Sequence, residues 1–298
     1  MTIYDYDSLT GTEFMQGTVC ALGKFEGMHL GHRMLVERTV KEAAKRQLGS
    51  LVFAINMPGR QVINLMPERA RIISELGVEG LVECAFSDDF KAMEAEEFVE
   101  KVLIRKLRAK VVVCGTDFCF GSKRRGDVEL LKRYSDAFSL IAYEKLKEDG
   151  REISSSLIRE ELLKGAVDEA GKLLGRPYAI SGVVREGKKL GRTIGFPTIN
   201  LIPEKDKLLP GAGVYETLVS LDGRDYRSLT NVGSNPTVSD EGVVTVESHL
   251  LRFHEDAYGK PVTVSFLRQL RKEIKFKSLE ELKKQIEFDK IELVSRAG

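Results

Sequence analysis

The sequence predicts a doubly wound parallel α/β sheet followed by a small antiparallel β-barrel and a C-terminal helix. Three observations predict it. In the first half, short unbroken apolar runs alternate with amphipathic segments. Near Gly175 the runs begin to alternate polar and apolar residues, and Gly, Pro, Asn and Asp separate them. A single helical stripe then closes the chain. With 298 residues, 42% of them hydrophobic, there is material for two domains and two cores.

The apolar runs come in order: "TVCAL" (Thr18 to Leu22), "LVFAI" (Leu51 to Ile55), "GLVEC" (Gly80 to Cys84), "VVVC" (Val111 to Cys114) and "SLIAY" (Ser139 to Tyr143). Runs without alternation suit parallel strands covered on both faces. Between them, Val36, Val40, Ala43 and Ala44 share a helical stripe, and "AEEFVEKVLIRKL" and "DVELLKRYSDAF" are amphipathic. Strands alternating with helices give a parallel sheet, whose ligands bind beyond the carboxyl ends of the strands. Next, "LLKGAVDEAGKLLGR" (Leu162 to Arg176) ends the first domain, for an expected division into residues 1–170 and 171–298.

In the second half, "RPYAISGVV", "GVYETLVSL", "YRSLTNVG", "VVTVESHLL" and "KPVTVSFL" read as antiparallel strands. Asp222-Gly223 is a hairpin signal, and "LIPEKDKLLPGAG" reads as a flap. Such a set suggests a small barrel. Finally, Leu279, Leu282, Ile286 and Leu293 form a helical stripe that Ser278 can cap.

Composition removes several classes. A net charge of +1 gives no global field for nucleic acid or anionic membrane. No apolar run approaches the roughly 20 residues that span a bilayer. The start, "MTIYDYDSLTGTEF", is polar and acidic, unlike a signal peptide. Cys20, Cys84, Cys114 and Cys119 form no CxxC, and three sit in apolar runs. They read as small buried residues of a reducing, cytoplasmic compartment. The sequence specifies no oligomeric state.

The chemistry concentrates in a few stretches. "KFEGMHLGHRML" (Lys24 to Leu35) leaves a strand and enters a helix, with His29 and His32 beside Gly27 and Gly31. A helix N-terminus favours phosphate, glycines let it approach, and histidines donate hydrogen bonds to it. A zinc site needs further ligands, and only the distant His249 and His254 remain. An ordinary turn is the third reading. In "ISSSLIRE", Ser154, Ser155 and Ser156 offer a helix cap and hydroxyls, and Arg159 a phosphate fork. In "TVESHLL", alternation puts Thr245, Glu247 and His249 on one face; the plain reading of Glu247 is a solvated strand carboxylate. In "PTIN", Thr198 and Asn200 lie on the same side of an extended segment.

These motifs carry a resemblance. HxGH after a strand resembles the nucleotidyltransferase signature that holds ATP phosphates, and "ISSSLIRE" resembles that superfamily's second element. "GKKLGRTIGFPTINL" (Gly187 to Leu201), followed by "GVYETLV", "NVGSNPTV", "VESHLL" and "LRKEIKF", closely resembles riboflavin kinase. With "VVVCGTDFCFG" (Val111 to Gly121) and "KRRGDVELL", residues 18 to 292 resemble the prokaryotic bifunctional riboflavin kinase/FMN adenylyltransferase, or FAD synthetase, family.

The resemblance implies a nucleotidyltransferase-like domain and a riboflavin kinase-like barrel. ATP, riboflavin and FMN would be substrates, FMN and FAD products, and Mg²⁺ the cofactor. It implies that Gly23, Gly31, Ser154, Ser155 and Ser156 bind ATP in the first domain while His29, His32 and Arg159 act on it. It gives Asp117, Arg271 and Glu273 to the flavin, and Gly191, Gly195 and Thr198 to ATP in the second domain. Thr198 and Asn200 would hold magnesium, and Glu247 would be the base. The chain departs from the family pattern at Lys24 and Glu26, where Asn and Asp are usual. "FAINMPGR" lacks a usual histidine, and Ser156 stands where Thr is common. A kinase with a non-catalytic first domain is the alternative. An RNA-binding module fits HxGH, but the short "SKRR" patch and near-zero net charge argue against it.

Overall fold

A computed structural model describes residues 1–186, 195–234 and 244–295. Gly191 and most of the glycine-rich stretch before Phe196 lie outside the described residues. Contacts divide the chain into two compact units, Met1–Ser155 and Ser156–Gly298.

The first unit holds one sheet built from β1 (Thr2–Asp5), β2 (Thr18–Gly23), β3 (Gly49–Asn56), β4 (Gly80–Ala85), β5 (Ala109–Gly115) and β6 (Ser139–Tyr143). Its order is β1-β4-β3-β2-β5-β6, and every pair is parallel. The unbroken apolar runs have the expected cause. Cys20 and Leu22 of β2 pack into a core with Phe53 and Phe98, whereas Ala21 packs opposite with Val36 and Val52. Helices cover both faces, among them α1 (Leu30–Arg46) and α2 (Met66–Glu75). The chain proceeds from β2 to β3 on one side, while β5 lies on the other. The loop after β2 therefore leaves the sheet where strand order reverses, the place where such sheets bind ligands.

Strand β1 lies in the polar start that carries no apolar run. It has a single neighbour, β4, and three of its four residues are exposed. An edge strand needs no double-sided apolar pattern.

The second unit opens with most of α3 (Ser155–Lys164) and all of α4 (Val167–Leu174). The expected division after residue 170 falls inside α4. The contact division comes earlier because α4 packs on strands of the second unit. Those strands are β7 (Tyr178–Arg185), β8 (Ile199–Leu201), β9 (Gly213–Leu221), β10 (Arg224–Ser234), β11 (Val244–Leu250) and β12 (Pro261–Lys272). They close an antiparallel barrel in the order β8-β11-β10-β9-β12-β7. Asp222 and Gly223 both take positive φ, 50° and 75°, as a two-residue hairpin turn requires.

Apolar side chains such as Tyr178, Val219, Val246 and Phe266 fill the barrel. A buried hydroxyl ladder crosses three of its strands. Thr217 lies 2.7 Å from Ser228 and 2.6 Å from Thr230, and Thr230 lies 2.7 Å from Ser248. The segment read as a flap is tied down instead. Lys207 and Leu208 are buried, the Tyr178 hydroxyl donates to the Leu208 carbonyl, and Gly211 N–H donates to the Leu162 carbonyl at 2.9 Å.

The chain ends in α5 (Leu279–Ser295), whose Glu281 N–H donates to Ser278 Oγ at 3.2 Å. Leu293 is buried, but Leu279 of the expected stripe is 61% exposed, because it starts the helix beyond the docked face. The docking is ionic as well as apolar. Arg271 Nε and Nη2 each reach Asp289 Oδ2 at 2.9 Å, and Arg268 reaches Glu292 at 3.4 Å. Among the described residues, no helix is long and apolar enough to cross a membrane.

Candidate active sites

The first site grows from the turn between β2 and α1. His29 is the N-cap of α1, and its Nδ1 accepts from the His32 N–H at 3.3 Å. In the neutral ring that leaves the proton on Nε2. The two imidazoles stack, centroids 3.7 Å apart and 18° from parallel. A Cβ on Gly31 would come within 3.3 Å of the His29 ring, so Gly31 makes room for the stack. Burial, then His29, then Arg69 push the His32 pKa well below 6.5, so His32 is neutral at pH 7.

The turn is strained and clasped. Phe25 and Met28 take φ of 49° and 44°, unusual for bulky residues, and both side chains are fully buried in the core. Glu26 is buried as well. Its carboxylate accepts from Arg60 at 2.6 Å and from the Ile63 N–H at 3.3 Å, and its carbonyl from Asn64 at 2.9 Å. From below, Arg69 Nη1 donates to the Lys24 carbonyl at 3.3 Å, while Nη2 reaches Asn56 at 2.7 Å and pairs with the buried Glu83. Glu26 thus ties this turn to the segment after β3.

The serine segment meets the turn at Gly27. A Cβ on Gly27 would lie 3.4 Å from Ser155 Oγ, so that hydroxyl sits against bare backbone. Ser154 and Ser155 belong to the first unit; Ser156 and Arg159 follow on α3, counted with the second. The space beside Gly23 is taken by the Phe25 ring, 3.2 Å from where a Cβ would stand. Asp117 lies just past β5, the neighbour of β2, with Lys145 at 3.2 Å from its carboxylate.

The second site lies on the outer face of the barrel. Ile199 and Leu201 point inward and are buried, so Thr198 and Asn200 face out. By the same alternation Val246 and Ser248 point in and Glu247 faces out. The register pairs Asn200 with Glu247 on one side and Asn231 with Glu247 on the other. Asn200, Glu247 and Asn231 therefore form one row. Glu273 joins its edge: a Cβ on Gly233 would lie 2.8 Å from Glu273 Oε1 and 3.3 Å from Asn231 Nδ2.

Thr198 borders a cavity of ≈ 320 Å³, with Ser248, Phe253, Asp256 and Tyr258 on its walls. Gly195 takes φ +87° with open space around it. Arg271 does not reach this row as a free cation, because Asp289 holds its guanidinium. Asn231 was not singled out from sequence; its only signal is its place in the "NVGSNPTV" motif.

Two family models match, each on one half. A model described as FAD synthetase matches residues 12–157, and one described as riboflavin kinase matches residues 174–295. A bifunctional riboflavin kinase/FMN adenylyltransferase of Listeria monocytogenes is 32% identical over 291 residues, 94% of this chain and 92% of the relative. The Escherichia coli K12 protein of the same description is 35% identical over 279 residues, 89% of this chain and 88% of that one. The chain belongs to the bifunctional riboflavin kinase/FMN adenylyltransferase family.

The riboflavin kinase/FMN adenylyltransferase fold extends along the whole chain. A solved structure from Streptococcus pneumoniae, described as a macrolide-efflux protein, is 32% identical with a TM-score of 0.88 and covers 100% of both chains. The two family models leave residues 158–173 between them, where α3 and α4 run.

Proposed function

We propose that the chain phosphorylates riboflavin with ATP to FMN on its barrel, and joins FMN to the adenylyl group of a second ATP on its parallel sheet, giving FAD and pyrophosphate. The family membership supports both activities, and the row Asn200–Glu247–Asn231, with Thr198 two residues before Asn200 on the same outer face, carries the assignment of the first. The primary ribityl hydroxyl is a poor nucleophile, and Glu247 accepts its proton as it attacks the γ-phosphorus and ADP leaves. Thr198 and Asn200 present hard oxygen donors that suit magnesium. Bound there, magnesium would neutralise phosphate charge during transfer. Glu273 orients the flavin from the row's edge. Arg271 acts by holding the end of β12 against α5.

Adenylyl transfer needs no base, because the FMN phosphate is already an anion. Its oxygen attacks the α-phosphorus and pyrophosphate leaves. His29 Nε2–H, the N-terminus of α1 and the Ser154 and Ser155 hydroxyls orient the triphosphate. The neutral His32 supports the His29 ring. Asp117 contacts the flavin side, and the chain works in the cytosol.

The test is to supply purified protein with ATP and Mg²⁺ plus either riboflavin or FMN, and to separate the products. FMN from the first and FAD from the second are expected. FMN without any FAD would leave a kinase whose first unit only binds.

A further inference from the structure

We propose that His249 is a positioning residue for the kinase site: its imidazole latches the Phe196–Thr198 segment so that Thr198 stands beside the Glu247 row. The inference rests on the reading of Thr198 as a nucleotide and magnesium contact.

The sequence itself makes a latch necessary. Pro197 has no N–H to give to a strand ladder, and β8 begins only at Ile199. The residue that must present its hydroxyl is therefore the last one before regular pairing starts. His249 fills the gap. Its Nδ1 lies 2.9 Å from the Pro197 carbonyl oxygen. A carbonyl only accepts, so Nδ1 carries the proton. The ring also meets the buried Phe196 edge-on, centroids 5.4 Å apart and planes at 79°.

The register explains why this residue can do the work. Ile199 pairs with Ser248, which brings His249 across from Thr198. His249 and Glu247 share one face of one strand, two residues apart. One short rigid element thus fixes both the base and the loop that faces it. Lys290, which also lies 5.9 Å from the Phe196 ring, and Glu287, both on α5, are the charged groups that act on the imidazole.

The experiment compares the wild type with His249→Ala and His249→Asn, whose amide N–H falls near the position of Nδ1. We expect His249→Ala to raise KM for Mg-ATP and the Mg²⁺ needed for half-activity by about tenfold, with kcat changed by less than about threefold. His249→Asn should recover most of that loss, and FMN-to-FAD conversion should stay at the wild-type rate in both. Independently of activity, ¹H–¹⁵N imidazole spectra should show His249 protonated on Nδ1, and Mg-ADP should shift that signal. Unchanged KM in His249→Ala, Asn no better than Ala, or an Nε2-protonated His249 would each overturn the latch. If the wild type makes no FMN, the functional reading fails instead, and the spectra still decide the hydrogen bond.

Discussion

Glu247 and Asn200 share a rung of the barrel, and the strongest residue-level prediction falls there. Glu247→Gln keeps the shape and removes the proposed proton acceptor. Riboflavin phosphorylation should fall by about 10²–10⁴-fold, with FMN adenylylation unchanged, in product-resolved assays. His32 makes a second prediction. Its pKa is pushed down in the fold, so the unfolded chain binds the extra proton and stability rises with pH. As pH drops below about 6.5 the first unit should lose up to about 1.4 kcal/mol per pH unit from this residue. His32→Gln should flatten that slope in denaturation curves recorded between pH 7 and pH 5. At this scale the sequence discloses what sits in motifs: His29, His32, Thr198, Asn200 and Glu247. It conceals Arg60 and Arg69, because a charge that clasps a distant turn leaves no local pattern. Glu26 departs from the family pattern, in which Asp is usual. In the fold its carboxylate goes to Arg60 and the Ile63 N–H.

Between elements, an ion pair fastens each unit internally, fully buried in the first and partly exposed in the second. Arg69 of α2 and Glu83 of β4 are both buried, with Arg69 Nε and Glu83 Oε1 left without a hydrogen-bond partner. Arg69→Met should cost about 3–5 kcal/mol in urea denaturation, and pairing it with Glu83→Leu should regain most of that, since no charge then stays buried alone. Asp289→Ala in α5 would remove the partner of the partly exposed Arg271. We expect a loss of about 1–3 kcal/mol and faster amide exchange along Leu279–Ser295. Strands and helices with double-sided or striped patterns were legible in advance. Strand β1 was not, because an edge position lets a polar sequence pair with β4. The flap expectation failed on contacts, as Tyr178 and Leu162 reach that segment from far along the chain.

For the whole molecule, the proposed function assigns each half-reaction to one of the two units. A Glu247→Gln protein should make FAD from FMN but not from riboflavin. A His29→Asn protein, which retains an N-cap side chain, should make FMN and little FAD. Mixing the two should restore riboflavin-to-FAD conversion if FMN is released into solution, seen chromatographically as transient free FMN. Failure of the mixture, with each half-activity intact, would mean that FMN does not exchange between molecules.

The hydroxyl ladder inside the barrel also decides what the barrel displays outside. Thr217, Ser228, Thr230 and Ser248 satisfy one another only in the present strand alignment. Sliding β10 or β11 by a single residue would trade these partners for apolar walls, at about 1–3 kcal/mol for each stranded hydroxyl. The same slide would turn Asn231 or Glu247 inward. The hidden polar lining thus acts as a key, admitting only the threading in which the Glu247 carboxylate reaches the surface.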